Sequence, residues 1–483
     1  MYCIIYHKLQ LRIQRMLFNS INFLFFFSIV FFLFYYLNGT ARKVLLFIAS
    51  SIFYMWFIPA YIFILYFTIL IDFIAAIQIE KSADKKRRKQ ILLLGIINTC
   101  IILFVFKYCN FFIDNFNGLG FTPIKHWEII LPIGLSFHVF QSLSYIIEVY
   151  RGNIKAEKNI LVYSNFVMMF PQLVAGPIER AANLLPQLKE CDHKITYADF
   201  SIGLSRFFWG LFKKVVIADT AGVYSGVVYQ NYTHHSGSTL LAATFLFSIQ
   251  IYCDFSGYSD MAIGTARMLG FKFKENFTLP YFSKNITQFW RRWHISLSSW
   301  LRDYIYIPLG GNRKGKIKTY INLMLTMLIG GLWHGASWNF VIWGGLNGFY
   351  LMVEKAFNFS PFKPKNFFLK LLGALYVFIA ISFTWIFFRA ATFHQAVGII
   401  NSIFTEFDPD SFQILDTGIF ITAIFSIIVL LLFEYFIFRK YSFEDIFYFK
   451  RGNFYLSLLI VFFICYIILF GNSNSNQFIY FQF

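Results

Sequence analysis

Long runs of apolar residues, separated by short polar segments, make up most of the chain. A helix needs about 20 mostly apolar residues to cross the hydrocarbon core of a membrane, which is about 30 Å thick. Because these runs are continuously apolar instead of alternating, they favour helices over membrane β-strands. By this rule the sequence predicts twelve spans, with edges placed to within a few residues, at 17–37, 44–58, 60–79, 91–113, 129–149, 207–229, 238–264, 319–334, 336–356, 367–389, 417–439 and 454–471.

Three further stretches do not fit a complete span. Residues 161–176 are apolar but end in Ala-Gly-Pro, which predicts a re-entrant segment. Residues 176–205 and 265–318 mix aromatic and polar positions, a pattern typical of amphipathic or re-entrant helices. Irregular backbone at membrane depth is tolerated only when protein buries it or when it lines a water-filled cavity. The sequence therefore predicts an all-α polytopic membrane protein, a ring of about 11–12 transmembrane helices with re-entrant and interfacial helices around a central cavity.

Composition agrees with this prediction and excludes other classes of protein. Of the 483 residues, 58% are hydrophobic and only 14% are charged, with 66 phenylalanines, whereas soluble domains have about 25% charged residues. A soluble enzyme, a disordered chain and a fibrous repeat are excluded. The six cysteines are scattered without a CxxC pair or the spacing of a metal site, so we expect buried thiols and no bound metal.

Charge is unevenly distributed over the predicted loops. There are 42 Lys and Arg against 24 Asp and Glu, a formal net charge of +18, but there is no compact basic module that would bind nucleic acid. If the chain weaves through all twelve spans, 36 of the 42 basic residues fall on one side and three on the other. Basic loops collect on the cytoplasmic side of a membrane. We therefore expect a multi-pass protein of the cytoplasmic (inner) membrane with these loops inside.

The first fifteen residues conflict with that charge rule, because they place Lys8, Arg12 and Arg15 on the outer side. They lack the small-residue cleavage site of a signal peptide, and the apolar run begins only after Met16. We predict that residues 1–15 are a mis-assigned start or a disordered extension, and that the membrane domain comprises residues 16–483.

One of the nine histidines lies at a depth where an ionisable side chain is unusual. His334 follows Lys318 by sixteen residues, about 24 Å along a helix and so past the middle of the membrane. Gly330, Gly331 and Gly335 flank it and predict a kink or the close approach of a substrate. A neutral imidazole can accept and return a proton near pH 7. A hydrogen-bonded structural histidine is the alternative.

Two other histidines lie in apolar surroundings. His294 follows Trp293 in a segment rich in tryptophan and arginine, which by itself is typical of an interfacial aromatic belt. His138 lies within the predicted span 129–149, where we expect a core histidine with satisfied hydrogen bonds.

Two charged features allow more than one interpretation. Asp254 and Asp260 are carboxylates within the predicted span 238–264. They either line the cavity or, as the favoured alternative, pair with a basic residue such as Arg267. The turn at 310–316 (Gly-Gly-Asn-Arg-Lys-Gly-Lys) has a composition that suits phosphate but lacks the spacing of a P-loop, so a basic cytoplasmic turn is the default interpretation.

Several ordered motifs carry a family resemblance: MLFNS from Met16, PQLVAGPIER over 171–180, YCDFSGYSDMAIG over 252–264, the pairs Asn276-Phe277 and Pro280-Tyr281, QFWRRWH over 288–294, DYIYIPLGGN over 303–312 and GLWHGASW over 331–338. They resemble the membrane-bound O-acyltransferase (MBOAT) family, and specifically its bacterial alginate O-acetylation branch. The similarity extends from Met16 to about residue 390 and is densest over 130–350. It implies that residues 16–483 form a single MBOAT membrane domain.

The resemblance implies acyl transfer to a hydroxyl, with His334 as the catalytic residue and His294 as its partner. Trp333 and Asn339 are candidate hydrogen-bond donors to the oxyanion. The remaining candidates for substrate binding are Trp293, Asp254, Arg302 and Asp303. The implied acyl donor is acetyl-CoA or an acyl-carrier thioester, and no bound cofactor or metal is implied.

One expected function and two alternatives follow. We expect the chain to move an acetyl group from a cytoplasmic thioester donor across the bacterial inner membrane, for O-acetylation of an alginate-like cell-surface polysaccharide. Expected partners are the lipid bilayer, an extracytoplasmic acetyltransferase and a cytoplasmic acyl donor protein. The alternatives are D-alanyl transfer to teichoic acid and a non-enzymatic transporter with a histidine proton relay.

Overall fold

The computed structural model describes residues 16–120, 122–174, 176–357, 366–438, 454–471 and 478–479. Residues 1–15, for which a mis-assigned start is predicted, lie outside the described residues. The regular structure in these ranges is helical, without a β-strand. The first ten helices are α1 (Ile21–Tyr36), α2 (Gly39–Met55), α3 (Ile62–Lys81), α4 (Lys85–Leu103), α5 (Cys109–Asn117), α6 (Leu135–Arg151), α7 (Ile160–Met168), α8 (Phe170–Leu173), α9 (Ala181–Lys189) and α10 (Tyr197–Phe212).

The later part of the chain contributes ten more helices within the described ranges. They are α11 (Asp219–Gln230), α12 (Gly237–Met268), α13 (Ile286–Trp290), α14 (Ile295–Leu301), α15 (Lys316–His334), α16 (Trp338–Ala356), α17 (Phe367–Arg389), α18 (Phe393–Thr405), α19 (Thr417–Phe433) and α20 (Phe454–Phe470). Four π-helical segments adjoin these helices, at Phe104–Tyr108, Lys213–Ala218, Arg302–Tyr306 and Glu434–Phe438.

The helices confirm the all-α polytopic prediction. Each of the twelve predicted spans coincides with at least one helix. Within the described ranges, five helical segments are long and apolar enough to cross a membrane by themselves: Pro59–Lys81, Lys85–Asn117, Gly237–Met268, Phe367–Arg389 and Thr417–Phe436. Two further helical segments in these ranges, Ile21–Tyr36 and Val461–Phe470, are apolar but shorter.

Two stretches differ from the prediction for identifiable reasons. The predicted span 129–149 becomes helical only at Leu135, because Gly134 adopts a left-handed φ of 74° immediately before α6. The segment 390–416, which lies between the predicted spans 367–389 and 417–439, contains the helix α18. The side chain of Thr392 caps its first turn, and such a cap is short-range chemistry that an apolar-run rule does not detect.

Contacts divide the described chain into two compact units. The first comprises the residues up to 106 together with 130–204 and 261–273, and the second comprises 107–129, 205–260 and the residues from 274 onward. In the first unit, the stretch predicted to be re-entrant, 161–176, forms the two short helices α7 and α8 instead of one continuous span.

The first unit buries polar side chains in different ways. Arg42 is 4% exposed and donates hydrogen bonds to four backbone carbonyls, among them those of Cys191 and His193. His138 is 1% exposed on α6 and lies in the core as expected. Neither of its ring nitrogens has a hydrogen-bond partner among the described residues, so the expected satisfied hydrogen bonds are not found.

Aromatic side chains form the core of the second unit. Trp293 stacks on Phe289 with ring centroids 5.3 Å apart, and Trp343 stacks on Trp385 at 5.5 Å. Pairs of this geometry stabilise a core by about 0.5–1.5 kcal/mol beyond the burial of their area. This aromatic core surrounds the two histidines that the sequence singled out.

Candidate active site

His334 is the last residue of α15 and lies in an aromatic pocket. Its side chain is 5% exposed. Its ring centroid lies 5.0 Å from those of Trp333 and Trp343 and 5.4 Å from that of Phe388. Burial among apolar rings favours the neutral imidazole, which is the form that can accept a proton.

Glycines beside His334 allow another helix to approach closely. A Cβ atom at Gly331 would overlap the backbone carbonyl oxygen of Phe340 on α16, and one at Gly335 would overlap the ring of Phe340. These two glycines therefore make room for Phe340 and its helix, whereas the sequence predicted a kink or the close approach of a substrate. Gly330 is different, because it lines a cavity together with His334.

His294 is fully buried and has an unusual backbone conformation. Its φ of 42° lies in the left-handed region, which costs a residue other than glycine about 1–3 kcal/mol. The N–H of Ile295 donates to the carbonyl of Asn276 (2.8 Å), and the N–H of Thr278 donates to the carbonyl of Arg292 (3.0 Å). Pairing of these two segments holds His294 in place against the strain.

Asn276 determines which nitrogen of His294 carries the proton. Its Oδ1 accepts hydrogen bonds from the backbone N–H (3.2 Å) and the hydroxyl (2.9 Å) of Ser296. Since a backbone N–H can only donate, the accepting atom is the amide oxygen. Nδ1 of His294 lies 3.2 Å from the same oxygen and must donate to it. Nε2 of His294 therefore carries the lone pair.

The indole of Trp333 contacts both histidines. Its ring centroid lies 6.1 Å from that of His294 and 5.0 Å from that of His334. Phe255 packs edge-on against the other side of the site, with its centroid 4.5 Å from that of His294. The structure thus brings two imidazoles from separate segments of the chain onto one buried aromatic ring.

A cavity of about 730 Å³ adjoins His334. The turn at 310–316, whose default interpretation from the sequence is a basic cytoplasmic turn, contributes residues 310–313 to the wall of this cavity. No Asp or Glu occurs among the described residues that line it, whereas four basic side chains do: Arg291, Arg302, Arg313 and Lys355. A wall with charge of one sign attracts a ligand of the opposite sign. The cavity therefore suits an anionic ligand that reaches His334.

The other candidates from the sequence fall into two groups. Arg302 lines the cavity and donates from Nε to Asp303 (2.8 Å); this hydrogen bond raises the pKa of Arg302, so the guanidinium stays cationic. Asn339 donates its amide N–H to the carbonyl of Ala390 (2.9 Å), and Trp293 packs in the aromatic core. Neither Asn339 nor Trp293 is among the described residues that line this cavity, and their predicted contact with the substrate stays a prediction.

Asp254 and Asp260 form buried ion pairs, which is the favoured of their two interpretations. Asp254 Oδ1 lies 2.7 Å from Nζ of Lys214, and Asp260 binds Lys213. The partner suggested from the sequence, Arg267, pairs with a different aspartate. Asp254 is 2% exposed in this pair and is not among the described residues that line the cavity at His334, so its predicted substrate contact stays a prediction.

Three features of the site were not predicted from the sequence. Asn276 belongs to a recognised motif, but its contact with His294 joins residues 18 positions apart, which no periodicity indicates. Lys107 binds the end of α15, and its position as a charged residue inside a predicted span is a signal that could have singled it out. Arg291 and Arg313 lie in basic stretches, where the positive-inside bias conceals a local cluster.

An all-α polytopic fold with two histidines buried in one aromatic core, one of them in the wall of a basic cavity, is typical of an integral membrane enzyme. The sequence model of the membrane-bound O-acyltransferase family (MBOAT) matches residues 135–392, which is more than half of the chain. The chain belongs to the membrane-bound O-acyltransferase family.

Relatives from several bacteria agree with this assignment. The probable alginate O-acetylase AlgI of Pseudomonas syringae pv. tomato is 43% identical over 396 residues, covering 81% of this chain and 75% of the relative. The peptidoglycan O-acetyltransferase of Helicobacter pylori is 36% identical over 424 residues, covering 81% of this chain and 80% of that relative. The teichoic acid D-alanyltransferase of Bacillus subtilis is 28% identical over 280 residues, covering 56% of this chain and 71% of that relative. The chain is an O-acyltransferase, and the resemblance to the alginate O-acetylation branch is confirmed.

Proposed function

We propose that the chain moves an acetyl group from a cytoplasmic thioester donor across the membrane, for O-acetylation of an alginate-like polysaccharide at the cell surface. The observation that carries the proposal is the position of His334 in the wall of a cavity with four basic and no acidic side chains among its described residues. Similarity to a probable alginate O-acetylase, at 43% identity, supports the acetyl group and the acceptor.

His334 acts as the general base for the acceptor hydroxyl. Its imidazole removes the hydroxyl proton as the oxygen attacks the thioester carbonyl, so that a C–O bond forms and the C–S bond breaks. The imidazolium then returns the proton to the departing thiolate, which leaves as a thiol. Because a thioester is already activated, positioning of the acceptor and removal of its proton supply most of the acceleration.

His294 acts as the partner of His334 across the indole of Trp333. With Nδ1 donating to Asn276, the lone pair on Nε2 can accept a hydrogen bond from the acceptor hydroxyl or from a bridging water. This role needs a fixed tautomer, and the contact with Asn276 supplies one. The strained φ of His294 fits the expectation that such strain collects at functional sites.

The basic cavity receives the thioester donor. Acetyl-CoA and an acetylated acyl carrier share a phosphate-bearing pantetheine arm that ends in the thioester, and phosphate suits the basic wall. Gly310 and Gly311 carry no side chain into the 730 Å³ space. The donor acts as a substrate, and the proposal requires no bound cofactor and no metal.

The proposal places the chain in the bacterial cytoplasmic (inner) membrane with its basic loops in the cytoplasm. The distribution of 36 basic residues on one side and three on the other supports this orientation. The donor then enters from the cytoplasm and the acceptor from outside. Proposed partners are the surrounding bilayer, an extracytoplasmic acetyltransferase that receives the acetyl group, and a cytoplasmic acyl donor protein.

A second acceptor is supported by one of the relatives. The peptidoglycan O-acetyltransferase of H. pylori aligns over 80% of its own length, so acetylation of peptidoglycan is the second candidate function. Transfer of D-alanine is supported less, because the D-alanyltransferase of B. subtilis is 28% identical and matches only 56% of this chain.

The test replaces His334 by Ala in the native host and measures acetyl esters on the exported polysaccharide and, separately, on peptidoglycan. His138→Ala is the matched control, since His138 is equally buried but lies in the other unit. We expect His334→Ala to abolish acetylation of the exported polysaccharide while polymer export continues. Loss from peptidoglycan alone would favour the second candidate. Lost export with normal acetylation would contradict the enzyme and support a transporter.

A further inference from the structure

Two consecutive side chains from another helical segment hold the end of α15. The last four carbonyls of an α-helix have no hydrogen-bond partner within the helix. Tyr108 donates from its hydroxyl to the carbonyl of Leu332 (2.8 Å). Lys107 donates from Nζ to the carbonyls of Trp333 (2.6 Å) and His334 (3.0 Å). Three of the four carbonyls are therefore bound by this pair.

The fourth of these carbonyls, that of Gly331, also has a hydrogen-bond partner. The carbonyl of Gly331 accepts a hydrogen bond from the N–H of Gly335 at 3.3 Å. Lys107 and Tyr108 belong to the π-helical segment Phe104–Tyr108, and π turns inside helices are frequently found at functional sites. The helix that ends in the histidine thus has every terminal carbonyl satisfied, and most of the bonds come from outside the helix.

A lysine at this depth requires a physical reason. Lys107 lies in the helical segment Lys85–Asn117, which is apolar enough to cross a membrane, and a charge there is costly. Its ammonium group lies at the negative end of the α15 dipole. It also lies 5.9 Å from the centroid of the Trp333 ring, within range of a cation–π interaction. These interactions reduce that cost, and they all involve Trp333 or His334.

We propose that Lys107 is a positioning residue for His334. By holding the carbonyls of Trp333 and His334, its ammonium group fixes the backbone from which the imidazole points into the cavity. The inference rests on the proposed function, in which His334 is the catalytic base. Displacement of a catalytic group by about 1 Å can lower a rate by about 100-fold, so a free helix end reduces turnover without removing any group that touches the substrate.

Four variants of the full chain test this role in membrane vesicles. Lys107→Met removes the donor, Lys107→Arg keeps a cationic donor, and Tyr108→Phe removes one hydrogen bond. Lys125→Met is the matched control, because Lys125 is an exposed lysine in the same unit. The assay follows transfer of labelled acetyl from acetyl-CoA and separates kcat from KM for the donor, while a thermal melt of each purified variant reports folding.

We expect Lys107→Met to lower kcat about 10- to 100-fold, by the positional sensitivity of catalytic groups, with KM for the donor unchanged. Lys107→Arg should restore most of kcat, Tyr108→Phe should lower it by about threefold for its single bond, and Lys125→Met should match the wild type.

A wild-type kcat in Lys107→Met overturns the inference, and so does a defect that Lys107→Arg fails to restore. If Lys107→Met does not accumulate in the membrane, a normal kcat in Tyr108→Phe overturns it. A different result would contradict the proposed function. If His334→Ala is active, His334 is not the catalytic base. If His334→Ala is inactive but Lys107→Met is fully active, only the role of Lys107 is contradicted.

Discussion

Replacement of Asn276 by Leu tests how the site fixes the tautomer of His294. Leucine has a similar size but no acceptor. Oδ1 of Asn276 accepts three hydrogen bonds, from Nδ1 of His294 and from the backbone N–H and hydroxyl of Ser296. The hydroxyl can rotate to another acceptor, but the two N–H donors are fixed: the N–H of Ser296 loses its acceptor, and Nδ1 of His294 keeps only a long contact with the Ser296 hydroxyl (3.4 Å).

The size of the effect follows from those two donors. A buried donor without an acceptor costs about 1–3 kcal/mol. For the N–H of Ser296 this cost falls on the stability of the fold. For His294 the cost disappears if the proton moves from Nδ1 to Nε2, but Nε2 then no longer accepts. Keeping the active tautomer therefore costs about 1–3 kcal/mol, which corresponds to about 5- to 150-fold slower turnover.

The assay compares Asn276→Leu with one matched variant in the same acetyl-transfer measurement. Ser259→Ala removes only the bond that the Asn276 amide donates to Ser259 (3.0 Å) and should stay active. The reasoning is refuted if Asn276→Leu turns over at the wild-type rate, or if Ser259→Ala is as slow as Asn276→Leu.

Three further predictions follow from packing and charge. Gly331→Ala places a methyl group against the neighbouring helix and should lower the melting temperature and the folded yield. At Gly345 the nearest atom lies 3.7 Å from the added methyl group, so Gly345→Ala should change neither. Equal melting temperatures for the two variants would contradict this prediction. Arg291→Gln combined with Arg313→Gln should raise KM for acetyl-CoA several-fold with kcat unchanged, and more at low than at high ionic strength because salt screens charges; a salt-independent KM would count against a basic donor site. Lys214→Met removes the cation that pairs with two buried aspartates and should destabilise the fold by about 3–5 kcal/mol, which a wild-type denaturation profile would disprove.

The spans were predictable because hydrophobicity alone selects them. The predicted span 367–389 coincides with α17 at both ends. Where the helices differ from the predicted spans, the cause is local backbone chemistry. Gly134 delays the start of α6, and Thr392 caps α18, which was not predicted. Neither effect changes the apolar content of the surrounding sequence.

The site was predictable only in part. Depth, flanking glycines and family motifs pointed to His334, but the contacts that orient the two histidines join distant segments, as Lys107 does with a helix end 227 residues later. Gly331 shows a second limit. The sequence indicates that something approaches closely, but it does not tell whether a helix or a substrate does so.

The most direct test of the central claim uses proteoliposomes that contain the full chain in one sorted orientation. Labelled acetyl-CoA is supplied only to the side of the basic loops, and a hydroxyl-bearing oligosaccharide, with any required acetyltransferase partner, only to the opposite side. The account predicts ester formation across the bilayer by the wild type and none by His334→Ala. Equal transfer by the two proteins, or transfer only when donor and acceptor share one side, would contradict it.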